Sequence, residues 1–187
     1  MACTVIGKKL LNNKFKKLKV AILTISDRSS RGERDDLSGP ALMDRVKTED
    51  WIVERVDVIP DDLQTIQATL ALWADSGEID VILTTGGTGF SPRDITPEAT
   101  QMVIERFAPG MAEAMRAEGL KITPHAMLSR AVTGIRKQTI IINLPGSPKA
   151  ALENLEVILH VLPHATRLLR DDPRAESEHR MSPPESK

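Results

Sequence analysis

The chain has 187 residues, enough for one sizeable domain and short for two. Its formal net charge of −1 and its 3% aromatic content give no sign of a nucleic-acid partner or a base-stacking surface. The single cysteine, Cys3, excludes an internal disulfide and fits a reducing, cytoplasmic compartment, and no apolar run approaches the roughly 20 residues of a membrane span.

Both ends of the chain differ in composition from its centre. Residues 1–17 are basic, and residues 171–187 are rich in proline, serine and charged side chains. Such segments bury too little apolar surface to offset the entropy of ordering them, so both are predicted to be disordered. The sequence therefore predicts one folded domain over residues 18–170.

The first half of this domain alternates apolar, β-branched runs with helical patterns. In chain order it predicts strand 18–25, polar loop 26–37, helix 38–48, strand 51–59, helix 63–76 and strand 79–84. Ser38 is a candidate N-cap for the first helix, and Asp61 or Asp62 can cap the second. Because residues 79–84 are almost wholly apolar, that strand is expected to be buried on both faces.

The second half continues the alternation. In chain order it predicts helix 96–107, helix 110–119, an irregular stretch 121–136, strand 139–144, helix 149–160 and a helical segment that Pro163 restarts before Leu169. Strands that alternate with helices predict βαβ units and a mostly parallel sheet covered on both faces. Ligands of such folds bind beyond the carboxyl ends of the strands. Four loops are therefore expected at one edge of the sheet: residues 26–37, 60–62, 85–96 and 143–148.

The loop after the third strand carries three glycines in four positions, at Gly86, Gly87 and Gly89 around Thr88. It matches neither the P-loop pattern nor the dinucleotide-binding pattern. Such a turn can be a tight strand-to-helix connection, or it can present backbone N–H groups to an anion. The pair Arg93-Asp94, just before a helix start, favours the binding interpretation.

Two aspartates follow strands at this edge, Asp61 and Asp94. Helix capping is the simpler role for such residues, but Thr96 is predicted to cap the helix after Asp94, which leaves Asp94 for another role. Two carboxylates beside a phosphate-binding loop suit Mg²⁺, because this ion takes one or two carboxylates and completes its shell with phosphate oxygens and water.

Three further segments are open to two interpretations each. The Ser26-Asp27 loop suits a phosphate or is simply solvated, and the Ser129-Arg130 pair suits an anion or is an exposed structural pair. The loop at residues 143–148 is a plain turn or an anion site at a helix start. Ser129 lacks a histidine–aspartate pair, so a serine hydrolase is not expected.

These loops in this order resemble the molybdopterin adenylyltransferase family, the Mog-type proteins of molybdenum cofactor synthesis, together with the gephyrin N-terminal domain. The matching segments are Thr24–Asp27, Asp36–Pro40, Ile59–Asp61, Thr85–Thr100, Ala126–Arg130 and Asn143–Pro148. The resemblance covers residues 18–169, and its long central motif is specific.

The resemblance implies a fold, a reaction and an assembly. The fold is a three-layer α/β/α sandwich with a mostly parallel central sheet, and the assembly is a homotrimer. The reaction converts molybdopterin and Mg²⁺-ATP into adenylyl-molybdopterin and pyrophosphate. The resemblance leaves open a partner protein that inserts molybdenum.

The family's site residues map onto this sequence one by one. Asp61 and Asp94 are the implied catalytic residues, and Asp94 is the implied Mg²⁺ ligand. The implied substrate contacts are Ser26, Asp27, Gly86, Gly87, Thr88, Gly89, Ser129, Asn143, Pro145, Gly146, Ser147 and Pro148. A non-catalytic molybdopterin-binding trimer and a Moa-type paralogue are the alternatives. The Moa-type counterpart usually lacks an aspartate at position 61, so Asp61 favours the adenylyltransferase.

Overall fold

A computed structural model of the chain describes residues 17–173. The disorder predicted for residues 1–17 and 171–187 falls almost entirely outside these residues. Within them, no helix is long and apolar enough to cross a bilayer.

Within residues 17–173, six strands form one sheet. They are β1 (Lys19–Ile25), β2 (Ile52–Ile59), β3 (Val81–Thr85), β4 (Arg106–Phe107), β5 (Thr133–Arg136) and β6 (Thr139–Leu144). The strand order is β2-β1-β3-β6-β5-β4. The first four strands of this order run parallel, whereas β5 is antiparallel to β6 and β4 is antiparallel to β5. The predicted mostly parallel sheet is confirmed.

Helices cover both faces of the sheet. They are α1 (Asp27–Ser30), α2 (Ser38–Thr48), α3 (Leu63–Asp75), α4 (Thr96–Val103), α5 (Pro109–Leu120), α6 (Pro148–Leu159) and α7 (Leu162–Leu169), with a 3-10 helix at Pro124–Leu128. One buried cluster joins Ile22 and Leu83 to α2, α5, α6 and α7, and a second joins Leu23 and Ile82 to α3 and α4. Successive strand residues point to opposite faces, so each central strand feeds both clusters and the fold is a three-layer α/β/α sandwich.

Three predicted segments differ from the structure. The polar loop 26–37 contains the single turn of α1, whose N-cap Ser26 accepts a hydrogen bond from the Ser29 N–H. The helix predicted over 96–107 ends at Val103, because Ile104 is extended and the chain enters β4. The irregular stretch 121–136 contains the 3-10 helix and β5.

Two predicted caps are also wrong. Ser38 is the first residue of α2, and the Asp36 carboxylate instead accepts the N–H groups of Ser38 and Gly39, both at 3.0 Å. Thr96 does not cap α4, because its hydroxyl donates to the Gly86 carbonyl at 2.9 Å. Asp62 does cap α3, accepting from the Thr65 N–H at 2.9 Å.

Candidate active site

The four loops expected at the carboxyl edge of the sheet meet around a cleft of about 410 Å³. Its lining residues are Thr24, Ile25, Ser26, Ser29, Arg34, Asp35, Asp36, Leu37, Ser38, Asp61, Thr85, Gly86, Gly87, Asp94, Gly146, Ser147 and Pro148. The cleft thus lies beyond β1, β3 and β6, where the topology of a parallel sheet places a ligand.

The glycine loop packs tightly at the floor of the cleft. Gly86 has φ +105 and Gly87 has φ +63, and at both positions a Cβ would come within 3.0 Å of a neighbour, the Ile25 carbonyl oxygen and the Thr96 hydroxyl respectively. The Thr85 hydroxyl donates to the Pro145 carbonyl at 2.7 Å, and the Gly86 N–H donates to Leu144 at 3.2 Å. These hydrogen bonds therefore hold the glycine loop against the loop after β6.

The two candidate aspartates flank this glycine loop. A Cβ on Gly87 would lie 3.2 Å from Asp61 Oδ1, and one on Gly89 would lie 3.0 Å from Asp94 Oδ2. Asp94 Oδ2 accepts the Ser91 N–H at 2.8 Å, and Asp61 Oδ2 accepts the Asp27 N–H at 2.7 Å. Both carboxylates are thus oriented by backbone N–H groups and line the same cleft.

The cleft is acidic, although phosphates are the ligands that its loops suggest. Its lining includes Asp35, Asp36, Asp61 and Asp94, but a single arginine, Arg34. Burial raises the pKa of Asp61, and the charges of Asp27 and Asp94 add to this increase, while the Asp27 N–H and Arg93 oppose it. A bound cation would relieve this repulsion.

The carboxylates fit Mg²⁺ better than a metal held wholly by protein. Among residues 17–173, no group of three or more histidine, cysteine, aspartate or glutamate side chains could hold a metal ion. A fully caged structural metal is therefore not supported within these residues. Asp61 and Asp94 give the one or two carboxylates that Mg²⁺ takes when substrate oxygens and water complete its shell.

Asp27 and Arg93 form an ion pair beside the cleft. Arg93 donates to both carboxylate oxygens of Asp27, with Nε–Oδ2 at 3.0 Å and Nη2–Oδ1 at 2.9 Å. This hydrogen-bonded pairing lowers the pKa of Asp27. The Asp61 N–H also donates to Asp27 Oδ1, at 3.1 Å. Asp27 is thus engaged by protein groups, and it does not line the cleft.

A second, mainly apolar pocket of about 280 Å³ lies on the other side of the glycine loop. Apolar side chains of Met115, Ile122 and Leu128 line it, together with Ser129. Thr88, Gly89 and Pro145 also face this pocket, whereas Gly86, Gly87 and Gly146 face the cleft. Ten of the twelve residues expected to contact substrate thus divide between a polar and an apolar compartment, and Asp27 and Asn143 line neither.

Arg130 is a structural residue of the glycine loop. Its Nε donates to the Gly89 carbonyl at 2.7 Å, and its guanidinium also contacts the Asp94 carbonyl and the Glu98 carboxylate. Its backbone N–H donates to Thr88 at 3.0 Å. Of the two interpretations of Ser129-Arg130, the structural one therefore describes Arg130.

Asn143 lies beneath the site and is fully buried. Its amide donates to the hydroxyls of Thr84, at 3.0 Å, and Thr100, at 2.9 Å, and its oxygen accepts the Val132 N–H at 3.2 Å. Asn143 lines neither the cleft nor the apolar pocket. Its contacts connect β6 to α4 below the glycine loop.

Asp36 is a cleft residue that was not among the expected site residues. Besides the start of α2, its carboxylate accepts the Thr24 hydroxyl at 2.7 Å. Residue type was the available signal, because aspartate is among the residues preferred at helix N-termini. Ser38 was predicted as the cap instead, because serine shares this preference and lies closer to the helix.

Comparisons with known proteins agree with this fold. A sequence profile of the family described as "Probable molybdopterin binding domain" matches residues 21–164. Gephyrin of Dictyostelium discoideum is 43% identical over 83% of this chain, but the match spans only 23% of gephyrin. The molybdopterin adenylyltransferases of Escherichia coli K12 and Helicobacter pylori 26695 are 42% and 38% identical, over 74% and 80% of this chain and 72% and 86% of theirs.

Solved structures extend the likeness. The molybdopterin biosynthesis enzyme MoaB of Thermus thermophilus superposes with a TM-score of 0.78 and 49% identity, over 83% of this chain and 98% of that one. A structure named MogA superposes with a TM-score of 0.77 and 36% identity, over 81% and 99% of the two chains.

Proposed function

The chain belongs to the family of molybdopterin-binding domains, and on that premise we propose that it transfers an adenylyl group from ATP to molybdopterin. Relatives named molybdopterin adenylyltransferase, which this chain matches over most of their length, support the proposal. The observation that carries it is that Asp61 and Asp94 both lie beside the glycine loop and line one cleft.

The reaction is a nucleotidyl transfer. The terminal phosphate of molybdopterin attacks the α-phosphorus of ATP, a new P–O bond forms, and the bond to pyrophosphate breaks. Because the attacking oxygen is already anionic, no strong general base is needed. The protein has to align two polyanions and reduce their repulsion.

The cleft offers the groups for this task. Asp94, with Asp61, would hold Mg²⁺, which when bound neutralises charge on phosphate oxygens. The Gly87 N–H and the start of α6 at Gly146-Ser147 would face the nucleotide phosphates, since helix N-termini and glycine turns favour anions, whereas the Gly86 N–H is bonded to Leu144. Ser26, at the start of α1, lines the same cleft.

The apolar pocket suits the pterin ring. Its lining is mostly apolar, as expected of a site for a flat heterocycle, and Ser129 supplies a hydroxyl at its edge. Thr88, Gly89 and Pro145 border it next to the cleft, so a ligand that spans both compartments would pass the glycine loop. We assign molybdopterin to this pocket and Mg²⁺-ATP to the cleft.

The test is an adenylylation assay on the purified chain with molybdopterin, Mg²⁺ and ATP, following pyrophosphate and adenylated pterin. Asp94→Asn should lower turnover about 100-fold or more, as expected for loss of a group that stabilises transferring phosphate. Asp62→Asn is the matched control, because asparagine preserves the α3 cap and the residue lies outside the cleft lining. Turnover of D94N near that of D62N would contradict the metal role.

The same assay separates the alternatives. A non-catalytic molybdopterin-binding protein would bind the pterin without releasing pyrophosphate. The 49% identity to a protein named MoaB means that similarity alone does not distinguish a Moa-type paralogue from a Mog-type enzyme. Formation of adenylated pterin by the wild-type chain would do so.

We also propose that the chain forms a homotrimer. Large exposed apolar side chains, including Met102, Phe107 and Met127, are of the kind that contact with another copy would cover. Light scattering of the purified chain would give the mass, and a monomer at micromolar concentration would refute the trimer.

A further inference from the structure

The ion pair of Asp27 and Arg93 beside the cleft is connected to Asp61 by hydrogen bonds. We infer that Arg93 and Asp27 are positioning residues for Asp61, an inference that rests on the proposed function insofar as Asp61 assists the transfer. Neither Arg93 nor Asp27 lines the cleft. Asp27 is therefore assigned a different role from the substrate contact that its sequence motif implies.

The first step is the reciprocal bonding of Asp27 and Asp61. The Asp27 N–H donates to Asp61 Oδ2 at 2.7 Å, and the Asp61 N–H donates to Asp27 Oδ1 at 3.1 Å. Two antiparallel N–H···O bonds fix the loop after β1 against the loop after β2. With Oδ2 engaged in this way, Asp61 Oδ1 is left facing the glycine loop at Gly87.

The second step is the fixing of Asp27 by Arg93. A guanidinium that donates to both oxygens sets the plane of a carboxylate as well as its position. The backbone of Arg93 is itself held in a turn, because its N–H lies 3.3 Å from the Ser91 hydroxyl and the Ser91 N–H donates to Asp94. The orientation of Asp61 is thereby connected to the loop that carries Asp94.

The third step is that this pair contributes little to overall stability. The Arg93 side chain is 63% exposed, and exposed ion pairs add little to the free energy of folding. Loss of the pair should therefore change the site without unfolding the domain. A function in positioning explains why a bidentate pair is built here between two loops rather than within one.

The test compares Arg93→Ala, Asp27→Ala and the double variant. Each single variant should lower kcat about tenfold, the effect of one or two lost hydrogen bonds in a site, while the KM for ATP stays within about twofold. The double variant should be no slower than the slower single variant, because both act through Asp61. Arg93→Lys should recover part of kcat. Arg55→Ala is the control, since Arg55 forms an exposed pair with Glu78 away from the cleft.

A second readout is independent of turnover. Hydrogen exchange followed by mass spectrometry should show faster exchange at the amides of Asp27 and Asp61 in R93A, and unchanged exchange at the Thr65 amide bonded to Asp62. If the wild-type chain transfers no adenylyl group, the proposed function fails while this measurement still decides the positioning.

Three results would overturn the inference. Multiplicative loss of kcat in the double variant would mean that Arg93 and Asp27 act separately. A raised KM for ATP with unchanged kcat in R93A would mean that Arg93 contacts the nucleotide directly. Unchanged exchange at the Asp61 amide in R93A would mean that the pair does not hold the loop.

Discussion

Replacement of Gly86 by alanine should strongly destabilise the fold. Gly86 has φ +105, and a Cβ there would come within 3.0 Å of the Ile25 carbonyl oxygen. An unstrained carbon–oxygen contact is roughly 3.3 Å or more, so the glycine loop and the end of β1 would have to move apart. Both sides are held, since Gly86 bonds Leu144 at 3.2 Å and the residue that follows β1, Ser26, bonds Ile59 at 2.9 Å.

The expected cost has two parts. Unfavourable backbone geometry costs about 1–3 kcal/mol, and overpacking against a fixed neighbour costs about 1–3 kcal/mol more. Their sum for Gly86→Ala is about 4 kcal/mol in the free energy of unfolding. Gly77→Ala is the matched control, because Gly77 has φ +71 with nothing within 4 Å of a Cβ. It should show the backbone part alone, about 1–2 kcal/mol.

Urea unfolding, followed by the fluorescence of the two tryptophans, Trp51 and Trp73, measures both variants at one protein concentration. With an m-value of about 2 kcal/mol/M, the midpoint of G86A should lie roughly 1 M below that of G77A. Equal midpoints would refute the steric account, because the two sites share only the positive φ.

Two further predictions concern the site. The pKa of Asp61 in the folded protein lies above its ordinary value of 3.8. Between pH 3.8 and the folded pKa, the folded state therefore binds more protons than the unfolded state. The free energy of unfolding consequently falls as the pH rises through this range. Asp61→Asn should therefore have a larger free energy of unfolding than the wild type at pH 7, measured by urea unfolding with EDTA. This difference should vanish below pH 3.8. A difference that does not depend on pH would contradict the conclusion that burial raises the pKa of Asp61. Ser129→Ala should bind molybdopterin about fivefold more weakly in a fluorescence titration, the effect of one lost hydrogen bond, with ATP affinity unchanged; unchanged pterin affinity would place the pterin elsewhere.

Long apolar elements could be predicted from the sequence, and short ones could not. The strand at residues 139–144 is β6 without any shift in its bounds, because six residues with buried side chains follow a polar turn. Strand β5 was not predicted, because it is four residues long and depends on β6 for pairing. The turn between them places Lys137 at φ +52, and Lys-Gln is not a pair that favours such a turn.

The gathering of the four loops followed from topology alone, but the direction of each side chain did not. Pro145 and Gly146 are neighbours in sequence, yet one faces the apolar pocket and the other the cleft. Asn143 belongs to the same motif and points into the core. A motif marks which segment lies at the site, whereas only packing decides which of its residues can reach a ligand.

The glycine loop left two interpretations open from sequence, a tight turn and an anion cradle, and different glycines support each. At Gly86 a Cβ would clash with the backbone carbonyl of Ile25, which cannot shift unless β1 moves. The fold therefore requires glycine at this position. At Gly89 a Cβ would meet only the Asp94 carboxylate, the end of a side chain, at 3.0 Å. A substitution there displaces a candidate Mg²⁺ ligand rather than a strand. Gly87 belongs to both groups, because it faces the Thr96 hydroxyl and Asp61 Oδ1. The tight turn at Gly86 therefore places Gly87 and Gly89 next to the two carboxylates, and the two interpretations describe successive residues of one loop.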